Sequence, residues 1–292
     1  MSKKVTPILV ALSLLCACNI DEEFRSEEKT LKVFEYQPAP GQFIGESSMG
    51  FSGSEKSVAD ALLYAQKRLE SGSLISLGGF GGYITVGFSE PIANGSSYDL
   101  AVRGNGIPTS SEPGIVYVMR DTNGNGLPDD AWYELAGSDT DAEGSQADYS
   151  VTYFRPTAAK QSVKWIDSNG VEGSIEYLES QHNQPSYYPT WISAESYTLT
   201  GRVLKKRNYF DNKSGQWIQP PYEWGYVDNF TDKDWVPSDR AVNMFDISNA
   251  IDKAGRGVEL EYIDFVKIQC AINGTGGQTG EISTELSEIY PL

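Results

Sequence analysis

The sequence predicts an all-β (mainly) fold, an antiparallel β-sandwich or jelly roll, with one substantial helix near the N-terminus. Three observations carry this. Most apolar runs alternate with period two, as half-buried strands do. They are short and are parted by clusters of Gly, Pro, Asn, Asp and Ser. Strand-like and helix-like stretches do not alternate along the chain, so no parallel βαβ sheet is expected.

The elements follow in order. "TLKVFEYQPAPGQF" reads as a strand closed by a Pro/Gly turn. "SEKSVADALLYAQKRLESG" sets Val58, Ala61, Leu62, Ala65 and Leu69 at helical spacing, with Ser54 or Ser57 as cap and Gly72 as stop. The glycines of "LGGFGGYITVGF" are followed by no helix, and a phosphate loop needs a helix N-terminus. They are expected instead to permit a tight entry into a strand. "SYDLAVRG", "GIVYVMRD", "AWYELAG" and "YSVTYFRP" are further short strands. "SVKWIDSNGVEGSIEYL" is a hairpin signal around Asn-Gly, and two more strands flank "DNKSG". "GVELEYIDFVKIQCAI" is a long strand near the end. Residues 32–292 are read as a single domain, with 173–240 as a candidate aromatic-rich insertion.

The chain starts "MSKKVTPILVALSLLCACNIDEE". Lys3 and Lys4, an apolar run too short to span a bilayer, and small Ala17 before a cysteine match a lipoprotein signal peptide over 1–17. Cys18 is then the acylated residue, and 18–31 an acidic tether. A plain secretory signal with incidental cysteines is the alternative. The acidic run after Cys18 resembles the surface-export signal of Bacteroidota-type lipoproteins. It places the protein at the outer membrane, lipid-anchored and exposed at the cell surface, with a periplasmic location as the alternative. Cys270 then has no partner for a disulfide, and its apolar surroundings predict a buried, inert thiol.

There are 23 Lys and Arg against 40 Asp and Glu. That balance argues against nucleic acid and anionic membrane surfaces as partners and suits divalent cations. "DTNGNGLPDD" concentrates oxygen ligands between two strands. Asp121, Asn123 and Asn125 occupy alternate positions, Gly126 follows, the Leu127 carbonyl comes next, and Asp129 is the acid at the ninth place. This is the front half of a calcium loop. Position twelve is Trp132, Glu134 comes two residues late, and the flanks are strands, so it is not an EF-hand. Completion would need a distant acid such as Glu112 or Glu281. The expected cofactor is Ca2+ in a structural role; the alternative is a solvated Asn-Gly turn. His182 is the one histidine, which excludes multi-histidine zinc sites. No GxSxG elbow is present, and His182 reads as a polar loop residue. No catalytic constellation is legible, so no enzyme is expected. Residues 187–235 are crowded with rings, and Trp191, Trp217, Trp224, Tyr187, Tyr188 and Tyr226 are the candidate ligand contacts.

Several segments together are similar to one family. "LGGFGGYITVGFSEPIANGSSYDLAVRGN", "SSEPGIVYVMRDTNGNGLPDDAWYELAGSD", "DYSVTYFRP", "AVNMFDISNAID" and "YIDFVKIQCAIN" resemble Bacteroidota cell-surface lipoproteins of galactose-binding-like jelly-roll type. Relatives of that family accompany TonB-dependent cobalamin uptake. The resemblance spans roughly residues 33–292. It implies nutrient capture rather than catalysis, with cobalamin (vitamin B12) or a related corrinoid as ligand and a TonB-dependent outer-membrane transporter as partner. It also implies a structural calcium served by Glu112 and oxygens near the last strand, here expected as Glu112 together with the 121–130 loop. The competing readings are a carbohydrate-binding module of a glycan-uptake system and a carboxylate-based glycoside hydrolase.

Overall fold

The computed structural model describes residues 30–292. The signal 1–17, Cys18 and nearly all of the tether lie outside the described residues. The last tether position, Leu31, already opens the first strand, Leu31–Gln37.

Six antiparallel strands form the largest sheet. Their order is Leu31–Gln37, Tyr83–Ala93, Tyr262–Cys270, Gly114–Met119, Trp132–Leu135 and Ala250–Ile251. A four-stranded sheet of Trp235–Val236, Asp239–Phe245, Leu100–Arg103 and Glu288–Pro291 shares its core. Alternation sends Ile84, Val86, Val116, Val118, Val266 and Ile268 inward from the first sheet, where they meet Leu100, Val102, Phe245 and Ile289 of the second. Each such side chain contributes roughly 1.5–3 kcal/mol when fully buried. A third sheet, Ser196–Val203, Gln146–Phe154, Val163–Asp167 and Glu172–Ile175, encloses a second core around Phe80, Tyr153 and Leu199. The fold is thus the layered antiparallel β architecture that the period-two pattern predicts.

The helix is Val58–Glu70. Ser57 caps it in a reciprocal capping box with Asp60. Gly72 follows with φ of 60°, as a helix stop requires. Ala61, Tyr64, Ala65 and Leu69 face the main core. Val58, expected on that face, is the first helical residue after the Ser57 cap and is 59% exposed. The glycine run is a tight entry, as expected: a Cβ on Gly82 would lie 1.8 Å from the Leu77 carbonyl oxygen.

Residues 173–240 are not an insertion set apart from the sandwich. Ser196–Val203 pairs with Gln146–Phe154, and Trp235–Val236 pairs with Asp239–Phe245. The segment is woven into two of the larger sheets. Cys270 is fully buried and free, with burial pushing its thiol up to about 12.

Candidate metal centre

The 121–130 loop folds around its own carboxylates. Asp121 Oδ1 accepts the Gly124 N–H at 2.7 Å and Oδ2 accepts the Gly126 N–H at 2.8 Å. Gly124 and Gly126 adopt φ of 70° and 71°, a conformation that costs a residue with a Cβ. Asn123 and Asn125 donate their amides to Asp129, 2.9 and 3.0 Å away. Asp121, Asn123, Asn125 and Asp129 are therefore brought together. The Leu127 carbonyl accepts the Asp129 N–H at 2.9 Å.

Glu112 does not join them. It precedes the strand Gly114–Met119 while the loop follows it, so about 20 Å of extended chain separates the two. Glu281 is also elsewhere, accepting the Gln42 N–H at 2.8 Å. The acids that do reach the loop are Asp130, which accepts from Thr122, and Asp264, which accepts the Asp121 N–H at 2.7 Å.

Glu112 belongs to a different cluster. Its carboxylate, that of Asp228 and that of Glu285 offer oxygens within 4.8 Å of one another. Asp228 and Glu285 are 1% and 2% exposed. No Lys or Arg forms an ion pair with any of the three among the described residues. Asp228 sits on a bend with φ of 57°. Its Oδ1 accepts the Asn105 N–H at 2.9 Å and its Oδ2 the Glu285 N–H at 3.0 Å. Gly104 makes room for this bend, since a Cβ there would lie 2.7 Å from the Asp228 Cα. Glu285 is placed by its pairing with Ser76, and its Oε1 accepts the Ser283 hydroxyl at 2.5 Å. Gln219 donates to Glu112 at 3.3 Å, while its own buried Oε1 has no partner.

Burial is the main force raising all three carboxyl pKa values, reinforced at Glu112 and Asp228 by the neighbouring acids and opposed at Glu285 by the hydroxyls and amides around it. Nearby Glu281 is pushed up to about 7, chiefly by burial. Three crowded carboxylates, two of them buried and Glu112 half-buried, have no counter-charge and must take up protons or a cation. The donors are hard oxygens, with the orphaned Gln219 Oε1 alongside, and they fit calcium. His or Cys ligands of a zinc site are missing from the set.

The expected aromatic contacts divide. Tyr187, Tyr188, Trp191 and Tyr226 are core residues, at 0%, 2%, 7% and 1% exposure. Tyr187 accepts the Leu178 N–H, Tyr188 donates to the Ala194 carbonyl, and Tyr226 accepts the Asp139 N–H. Trp191 packs within 6.0 Å of Tyr36 and 5.9 Å of Phe51. These four cannot be open ligand contacts without unpacking the sandwich. Trp217 and Trp224 are half-buried. Trp217 edges against Phe210 in the hairpin Tyr209–Asp211 and Gln216–Ile218. Trp224 lines a cavity of about 300 Å³ with Tyr98 and Asp234. His182 is buried between Glu46 and Gln42, each 3.2 Å from a ring nitrogen.

Asp228, Glu285 and Asp264 were not singled out by sequence reasoning. The available signal was "GNG" at 104–106, two glycines that leave space for another chain segment. No protein-family model matches the chain, and no curated protein matches it.

Proposed function

We propose that the chain is a lipid-anchored surface protein of the outer membrane that captures a nutrient without transforming it. A corrinoid such as cobalamin is the first ligand to test, and a TonB-dependent transporter is the receiving partner. The observation that carries this reading is the carboxylate cluster of Glu112, Asp228 and Glu285. Its oxygens lie among buried strands and turns, where a calcium ion would neutralise them and pin three distant segments. Asp228 and Glu285 offer almost no surface to a substrate, so the cluster suits a structural ion better than a catalytic pair. The signal and acidic tether supply the anchoring, and the family resemblance supplies the ligand class. A glycan as ligand is favoured by one observation, the half-exposed Trp132 on the outer face of the six-stranded sheet.

The test is spectral titration of the calcium-loaded protein with cobalamin. Micromolar or tighter saturable binding, more negative than about −8 kcal/mol, is the expected result. Absence of any corrinoid binding at that level overturns the corrinoid assignment. A melting temperature that ignores chelator removes the calcium from the account.

A further inference from the structure

The outer face of the six-stranded sheet carries a row that crosses every strand. Glu35, Thr85, Lys267, Tyr117, Glu134 and Ile251 lie in register. Lys267 occupies its middle, on the strand Tyr262–Cys270, pointing away from the core that holds Val266 and Ile268. Its Nζ lies 4.4 Å from the centroid of the Trp132 ring, 5.5 Å from that of Tyr83 and 5.8 Å from that of Tyr117. Ring faces hold a cation in place but accept none of its hydrogen bonds in the way an oxygen does. The ammonium makes no ion pair and no hydrogen bond among the described residues. Burial lowers its pKa from the ordinary lysine value, with Glu35 opposing.

The surroundings are those of a site. A cavity of about 280 Å³ opens over Lys267, Trp132, Thr200 and Arg202. Past Trp132 it meets a second, of about 480 Å³, beside Tyr133 and Arg256. Together they form a trough in the size range of ligand sites. The acids of the trough are largely committed. Glu134 receives the Arg202 Nε at 2.7 Å, and Asp252 receives the Arg256 Nε at 2.8 Å. Glu35 accepts the Thr85 hydroxyl at 2.7 Å. That leaves Lys267 and exposed Lys253 against exposed Asp148 and half-buried Asp130 among the lining charges without an ion pair. The repulsion of an acidic protein for an anion is screened beyond about 8 Å at physiological salt, so the groups nearest the anion decide, and Lys267 is ringed by Trp132, Tyr83 and Tyr117.

We infer that this face binds a carboxylate-bearing saccharide, with the acid group on Lys267 Nζ and a sugar ring against Trp132. A carboxylate supplies the acceptor that Lys267 lacks. A sugar supplies apolar ring faces for the indole and hydroxyls for the Arg202–Glu134 pair. The inference rests on the reading of the chain as a nutrient-binding protein and does not depend on the corrinoid.

Calorimetric titration tests it on the calcium-loaded protein with glucuronate, galacturonate and N-acetylneuraminate, against glucose and galactose as neutral controls. At least one acid sugar is expected to bind about tenfold or more tightly than the neutral sugars. Lys267→Met keeps the apolar stem under the rings and should erase that preference, while Lys267→Arg should retain it. No binding of the three acid sugars to the wild-type protein overturns the inference whatever the variants do. So does an unchanged preference in folded Lys267→Met. Cobalamin binding that survives in Lys267→Met without any acid-sugar binding sinks this site and leaves the nutrient-binding reading standing.

Discussion

The surface loop at 121–130 and the buried cluster of Glu112, Asp228 and Glu285 are both built from oxygen ligands. The loop gathers its ligands from ten consecutive residues and satisfies them with its own backbone N–H groups and amides. The cluster draws its ligands from segments far apart in the chain, and its charges have no cation partner among the described residues. The difference teaches where a cation would matter most. An exposed carboxylate that already accepts three N–H groups gains a modest amount from an ion. Buried carboxylates crowded together gain far more, because the alternatives are protonation or uncompensated charge.

Removing a ligand at each place should make that difference measurable. Asp228→Ala deletes the acceptor of the buried Glu285 N–H and of the half-buried Asn105 N–H, and opens the bend at Gly104. It is expected to cost about 3 kcal/mol or more in denaturant unfolding with calcium present, and to remove most of the response to chelator. If Asp121→Ala instead abolishes that response, the ranking of the two places is reversed.

The second contrast uses pH. Glu281 has its carboxyl raised from 4.5 to about 7 by burial. The folded state therefore holds this proton more tightly than the unfolded chain. The resulting stability is full below about 4.5 and is lost as pH rises through about 7. That displacement corresponds to about 3 kcal/mol. Chelated protein should accordingly melt at a higher temperature as pH falls from 8 towards 5. Calcium should flatten or reverse the trend, because proton and cation compete for neighbouring oxygens. The same slope with and without calcium would detach the buried acids from metal binding.

Smaller effects belong to the loop. Asp121→Ala is expected to cost about 1–2 kcal/mol, for the loss of three exposed N–H acceptances. Leu127→Ala should stay within about 0.5 kcal/mol, since the side chain is 50% exposed and only its carbonyl faces the loop. A larger loss at Leu127 would mean that the loop is packed against something not captured by its hydrogen bonds.

What could be read from the sequence follows the same division between local and distant. The helix was legible because a Ser cap and Gly72 bracket an apolar run at helical spacing within fifteen or so residues. The strands were legible from their alternation, and the loop from its spacing. Glu112 was noticed, but its partners Asp228 and Glu285 were not, because nothing near either residue advertises the other. Only the folded register of Ser76 with Glu285 and the close passage of Gly104 under Asp228 bring them together. The aromatics misled for a different reason. Tyr187, Tyr188 and Tyr226 sit in irregular segments with polar neighbours, which reads as a binding surface. Each hydroxyl finds a backbone partner indoors, and a tyrosine so satisfied packs as a core residue.

Cys270 offers a clock. It lies on a central strand of the largest sheet, with its sulfur fully enclosed and its proton held up to about 12. An alkylating reagent attacks the thiolate and needs physical access to it. Neither is present until Tyr262–Cys270 parts from its neighbours. In a chain beginning at Thr30 it is also the single thiol. One label per molecule would then count each opening of the sheet centre, and its rate in calcium and in chelator would time how long the sandwich stays shut.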